Sequence, residues 1–303
     1  MNNRATWTDT LSGIGEENGF FRQLGDMHNA LYIKGDKTLV VTFDNLDDAR
    51  QDKDGQMPWG SNFVSSQGWS SLGIGAHGWT WYRDEAVLDF FDELRDAGFF
   101  DQFDTVVFYG ISMGGYAASV FCAAAPGAKV IAMNPQATLD RSVTSCWETR
   151  YRRSWRRDFS GRYSFGPDQS ANASVVYLIF DPLGAQDAMH AALFQNDNVV
   201  KIRCRHFGHR LASVLTNMGI LKDTVEICVN ETPKAHQIYK LLTVRKSFPG
   251  YQKSVLNKLL ERKKPLLIHR WSRKVIEMSG NNNRPHFRRA MKQAAEALRA
   301  DQV

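Results

Sequence analysis

Ser112 stands between two glycines in Gly110-Ile111-Ser112-Met113-Gly114. The apolar run Val106 to Tyr109 just before it reads as a buried strand, and the small-residue stretch from Gly115, with Ala117 and Ala118, reads as a helix. A strand that turns into a helix so abruptly leaves no room for side chains two positions before or after the serine, which is why both positions want glycine. The turn lifts the serine hydroxyl above the sheet edge and aims the following backbone N–H groups at the same space. A hydroxyl is a poor nucleophile until a neighbouring base takes its proton. The plainer alternative is a tight turn whose glycines only let helix and sheet pack closely.

The flanking chain alternates strand and helix patterns. Ala30 to Ile33 and Thr38 to Phe43 read as strands, residues 46 to 68 as a polar loop, and Trp69 to Ile74 as a strand. Arg83 to Ala97 has helical spacing of Val87, Leu88, Phe90, Phe91 and Leu94, closed by Gly98. After the helix to Ala125, Lys129 to Met133, Val175 to Phe180 and Val199 to Arg205 read as strands. Asp187 to Phe194 and Arg210 to Met218 read as helices. This order predicts a mostly parallel sheet with helices on both faces. In such sheets ligands bind beyond the carboxyl ends of the strands. Ser112, Asp181 and His209 each follow a predicted strand end, so one sheet edge gathers them.

On the elbow, and on the order of serine, acid and histidine after successive strands, residues 30 to about 222 resemble the α/β-hydrolase superfamily. The resemblance implies Ser112 as nucleophile and His209, in Phe207-Gly208-His209, as its base. A carboxylate must then fix the imidazole tautomer. Two aspartates compete. Asp181 stands at a strand end before Pro182 and is favoured; Asp187 lies in Gly184-Ala185-Gln186-Asp187, similar to the superfamily's G-x-x-D loop, or else caps a helix. The resemblance also implies an oxyanion hole from the Met113 N–H and a donor after the Thr38–Phe43 strand. There Asp44 and Asn45 replace the usual His-Gly pair, and an Asn45 side-chain donor is one option. Ordinary turn chemistry is the other reading of these two residues.

The chain has 303 residues, 43% hydrophobic and 23% charged, enough for one α/β core and an appendage. No apolar run is long enough to span a membrane. Met1 to Glu17 is polar, without the core of a secretory signal. Cys122, Cys146, Cys204 and Cys228 are scattered, which fits free thiols in a reducing cytoplasm. No metal-ligand spacing and no phosphate-cradling loop appear, so neither metal nor cofactor is expected. Residues 231 to 303 hold 17 Lys and Arg against 5 Asp and Glu, leaving 21 basic and 27 acidic residues elsewhere. The expected organisation is a hydrolase-like domain over 1–230 and a basic helical extension over 231–303. In the extension, Pro249-Gly250-Tyr251 and Pro285-His286-Phe287 recur and weakly resemble a tetratricopeptide-type helical pair. It suits an acidic partner, an anionic glycan or a membrane surface, or simply caps the body.

An insertion over 137–172 occupies the place of a lid. Trp147, Tyr151, Trp155 and Phe159 recur every four residues and predict an aromatic stripe on a helix. Arg150, Arg152, Arg153, Arg156 and Arg157 surround it. These arginines either stay solvated or recognise an anionic substrate group. Nucleic acid is set aside, because an acidic body would repel it. His77-Gly78-Trp79-Thr80-Trp81-Tyr82 either walls a pocket or packs under a loop. The expectation is a serine hydrolase of acyl esters, small or glycan-linked. The alternatives are an acyltransferase or deacylase on a glycan or carrier, and a scaffold that keeps the fold without chemistry.

Overall fold

A computed structural model describes residues 4–45, 61–230, 235–280 and 284–300. Eight strands form one sheet: β1 (Gly19–Leu24), β2 (His28–Ile33), β3 (Thr38–Asn45), β4 (Ser70–Ala76), β5 (Thr105–Ile111), β6 (Lys129–Met133), β7 (Val175–Phe180) and β8 (Val199–Arg203). Their order is β1-β2-β4-β3-β5-β6-β7-β8. β2 pairs antiparallel with both β1 and β4, and every other pairing is parallel. β1 and the preceding helix, Arg4–Asn18, were not expected from the sequence. The loop expected over 46–68 lies partly outside the described residues, and Ser61–Ser66 within it is a short helix.

The central strands read as continuous apolar runs because both faces are covered. Alternate residues enter two separate cores. Leu39, Val41, Phe43, Phe108, Val130, Ala132, Val176 and Leu178 face one, with the helices Glu85–Asp96 and Met113–Phe121. Val40, Val107, Tyr109, Ile131, Met133, Tyr177 and Ile179 face the other, with the helices Leu211–Asn217 and Leu221–Asn230. Helix Glu85–Asp96 buries the five residues its spacing predicted. The Asp84 carboxylate accepts from the Ala86 N–H at its start, and Gly98, at φ 65°, follows its end.

The insertion is not the striped helix its spacing predicted. It contains the short helices Arg141–Thr144 and Gly166–Gln169 and a 3₁₀ turn at Arg152–Arg156. Tertiary bonds override the local pattern. The Arg83 guanidinium donates to the carbonyls of Asp158, Ser160, Arg162 and Tyr163, and a continued helix would have drawn the first carbonyls of that run into its own ladder. The Trp81 Nε1–H donates to Ser154 Oγ at 2.7 Å. Arg162 pairs with Glu85, Asp89 and Asp92 on the body helix, and Phe159 and Tyr163 enter the main core.

After Ala235–Leu241 come three further helices, Pro249–Glu261, Pro265–Met278 and Pro285–Ala300. They enclose a small core of their own around Leu256, Ile268, Val275 and Phe287. Among the described residues no helix is long and apolar enough to cross a membrane.

Candidate active site

The chain leaves β5 at Ser112, whose backbone sits at φ 51° and ψ −115°. A non-glycine residue held there costs on the order of 1–3 kcal/mol and persists only where its surroundings enforce it. The Ser112 N–H donates to the Met133 carbonyl at the end of β6, and the Ser112 carbonyl accepts from the Tyr116 N–H, each at 2.9 Å. A Cβ on Gly110 would collide with the Gly114 carbonyl. One on Gly114 would stand 2.6 Å from the carbonyl oxygen of Phe43, so that glycine lets the end of β3 cross the elbow helix. Met113 begins the helix, so its N–H has no acceptor within the helix, and the positive helix end faces the serine. Asp44 and Asn45 are the last residues of β3, half-buried, in register with Gly75 and Ala76 of β4.

His209 comes from the loop after β8. Its Nε2 lies 3.0 Å from Ser112 Oγ. Its Nδ1 lies 3.0 Å and 3.1 Å from the two carboxylate oxygens of Asp187. An ionised Asp187 makes Nδ1 the protonated nitrogen and leaves the Nε2 lone pair to accept from the serine. Asp187 is 3% exposed and lies in the first turn of the helix Ala185–Leu193.

The favoured aspartate of the sequence reading, Asp181, does not reach the imidazole. Its Oδ2 accepts from the Gly208 N–H at 2.7 Å, and its Oδ1 from the Leu183 N–H at 2.9 Å. It ties the histidine loop to the end of β7. Asn134, just past β6 at φ 44°, does the same work from the neighbouring strand. Its amide donates to the Gly208 and His209 carbonyls, and its Oδ1 accepts from the Asp181 N–H. Asn134, like Asp181, is a polar residue just past a strand end, a signal the sequence carries equally for both.

The insertion adds three more residues, of which the aromatic and arginine spacing marked Tyr151 and Arg150 and nothing marked Glu148. The Arg150 guanidinium donates to Asp187 Oδ1 at 2.6 Å and to Glu148 Oε2 at 2.6 Å. Glu148 is fully buried and also accepts from His190 Nε2 at 3.1 Å. His190 Nδ1 accepts the Ala137 N–H, so its proton sits on Nε2. A hydrogen-bonded row thus runs from Ser112 through His209, Asp187, Arg150 and Glu148 to His190. Burial works to raise both carboxylates, yet their partners prevail. His190 and Arg150 hold Glu148 down at about 2, and His209 and Arg150 hold Asp187 below its ordinary value. Arg150 is therefore already committed inside the protein. Arg152, Arg153, Arg156 and Arg157 are exposed and form no ion pair among the described residues.

Tyr151 follows Arg150. Its hydroxyl is 3.3 Å from His209 Nε2. The expected aromatic wall divides. Trp81 and Tyr82 are fully buried packing residues, whereas Trp79 is 56% exposed with its ring 6.1 Å from that of Tyr151.

An eight-stranded, mostly parallel sheet with an antiparallel second strand and an elbow serine after β5 is the α/β-hydrolase fold. No protein-family model matches the sequence, and no curated protein sequence matches it. Among solved structures the chain is similar to one in the Glycosylation Associate Protein (Gap123) complex from Streptococcus agalactiae. That match has 14% identity and a TM-score of 0.47, over 67% of this chain and 44% of that one, so this chain spans less than half its length. It is similar to the capsule O-acetyltransferase of Neisseria meningitidis serogroup A at 14% identity and a TM-score of 0.40, over 65% and 92% of the two chains. It is similar to the carboxylesterase CesB (YbfK) from Bacillus subtilis at 13% identity and a TM-score of 0.44, over 75% and 98%.

Proposed function

We propose that this protein is a serine hydrolase that cleaves acyl esters through Ser112, His209 and Asp187. The observation that carries the reading is the unbroken row of hydrogen bonds from the strained elbow serine through both imidazole nitrogens to a buried carboxylate. Ser112 Oγ attacks the ester carbonyl carbon as His209 Nε2 takes the hydroxyl proton. Negative charge collects on the former carbonyl oxygen. The Met113 N–H and the end of the Met113–Phe121 helix stabilise it there, with the Asn45 side-chain amide or a backbone N–H of Asp44 or Asn45 supplying the second donor. Asp187 keeps the proton on Nδ1 and balances the imidazolium. Collapse returns the proton from Nε2 to the leaving oxygen, and water then releases the acyl group by the same steps in reverse. Asp181 and Asn134 hold the loop that aims His209.

A fluorophosphonate probe followed by mass spectrometry tests this. The adduct should form on Ser112, vanish in Ser112→Ala, and form at least about 100-fold more slowly in His209→Ala. A folded wild-type protein that takes no label would sink the reading and leave a binding scaffold of hydrolase fold.

A further inference from the structure

Tyr151 brings a third polar atom to the space between Ser112 and His209, from an element outside the sheet edge that supplies the other two. Its ring is fixed edge-on against Trp81 with centroids 4.9 Å apart, and the Arg150 guanidinium lies over its face at 5.2 Å. Arg150 is in turn held by Glu148 and Asp187, so the phenol is placed by the same network that orients the histidine. The hydroxyl stands 3.3 Å from Nε2. Burial raises the phenol above its ordinary value, so it keeps its proton and acts as a donor.

Two oxygens change charge when an ester is cleaved at such a site, and they lie in different directions. The carbonyl oxygen turns towards the Met113 N–H. The leaving oxygen must lie within hydrogen-bond reach of Nε2, because that nitrogen returns the proton to it. The Tyr151 hydroxyl, 3.3 Å from Nε2, shares that reach. Resting on the serine-hydrolase reading above, we propose that Tyr151 is a catalytic residue that hydrogen-bonds the leaving oxygen. As the bond between the acyl carbon and that oxygen breaks, its electron pair passes to the oxygen. The proton comes from His209 Nε2, and the Tyr151 O–H donates a hydrogen bond to the same oxygen while retaining its own proton. In deacylation the phenol bonds the entering water oxygen at the same place.

This assignment predicts a dependence on leaving-group basicity. Wild type and Tyr151→Phe are compared by kcat/KM, which reports acylation, on acetate esters running from nitrophenyl through phenyl to ethyl. A nitrophenolate needs little help to depart, so its ester should lose little in the variant. An ethoxide needs a donor, so ethyl acetate should lose about 100-fold, the scale of one removed donor at a charged transition state. The nitrophenyl ester thus serves as an internal check that the variant is folded and its site intact. A loss of equal size across the series, or no loss anywhere, would overturn the assignment while leaving the serine-hydrolase reading in place. A wild type that neither labels at Ser112 nor hydrolyses any of the esters removes that reading and this assignment together.

Discussion

Asp187 receives hydrogen bonds from a histidine on one side and an arginine on the other, and that double claim distinguishes it from Asp181. The two aspartates should respond differently to substitution. Asp187→Asn should keep the protein folded but permit the wrong imidazole tautomer, lowering kcat by about four orders of magnitude. Asp181→Ala should lower kcat far less, by roughly tenfold through a looser His209 loop, and should lose the hydrogen bonds its carboxylate accepts from the Gly208 and Leu183 N–H groups, costing about 1–3 kcal/mol of stability. Paired kinetics and thermal melts of the two variants check this, and a larger kcat loss in the Asp181 variant would reverse the roles. At this scale the serine and the histidine were legible in the sequence because each sits in a glycine-marked turn beyond a strand. The carboxylate that meets the imidazole was not, because the strand-end position belongs to Asp181, which accepts from two loop N–H groups, while Asp187 reaches His209 from the first turn of the next helix. Glu148 carries no local signal, and the aromatic and arginine spacing marks Tyr151 and Arg150 only as parts of a stripe, not as neighbours of His209 and Asp187. Their relation to the site is made by tertiary packing.

At the scale of elements, the elbow works because two glycines permit backbone approaches that no side chain tolerates, while the serine between them bears a left-handed backbone. The strain should be measurable. Ser112→Gly removes the hydroxyl and relieves the backbone; Ser112→Ala removes the hydroxyl alone. The glycine variant should melt higher than the alanine variant, by an increment on the order of 1 kcal/mol. Equal melting temperatures would mean that the surroundings hold Ser112 without cost. The central strands and the helix Glu85–Asp96 were legible because a sheet covered on both faces and an amphipathic helix each impose a regular pattern. β1 was not, since its burial follows no alternation along Gly19–Leu24. The insertion misled for the opposite reason. Its four-residue aromatic spacing had the helical period, but Arg83 and Trp81 draw its backbone and side chains into other bonds.

At the scale of the whole molecule, the acidic body and the basic C-terminal helices meet beside the histidine loop. Tyr251, at the start of Pro249–Glu261, packs its ring 5.9 Å from those of both His206 and Phe207, and the Arg245 guanidinium lies over it. His206 and Gly208 both have positive φ, so the loop's shape relies on such outside support. Tyr251→Ala should therefore slow hydrolysis even of a small ester, by roughly tenfold, through a looser His209. Unchanged turnover would free the extension from any part in the site and leave its charge as its only visible asset. The charge contrast and helical character of the extension were legible in composition. Its contact with the histidine loop runs through Tyr251, which the recurrence of Pro249-Gly250-Tyr251 marks as part of a repeat but not as a neighbour of His206 and Phe207.

The distribution of the four thiols has a practical corollary. Cys122, Cys204 and Cys228 are buried, and burial pushes Cys204 and Cys228 up to about 12 and Cys122 higher still, so all three resist alkylation. Cys146 is exposed, two residues from Glu148 in the segment that delivers Arg150 and Tyr151. The native chain therefore carries its own attachment point for a fluorophore or spin label in the segment that carries Arg150 and Tyr151. The reporter needs no engineered residue, and its signal in the Ser112→Ala and wild-type proteins would report any change in the insertion when a fluorophosphonate is added.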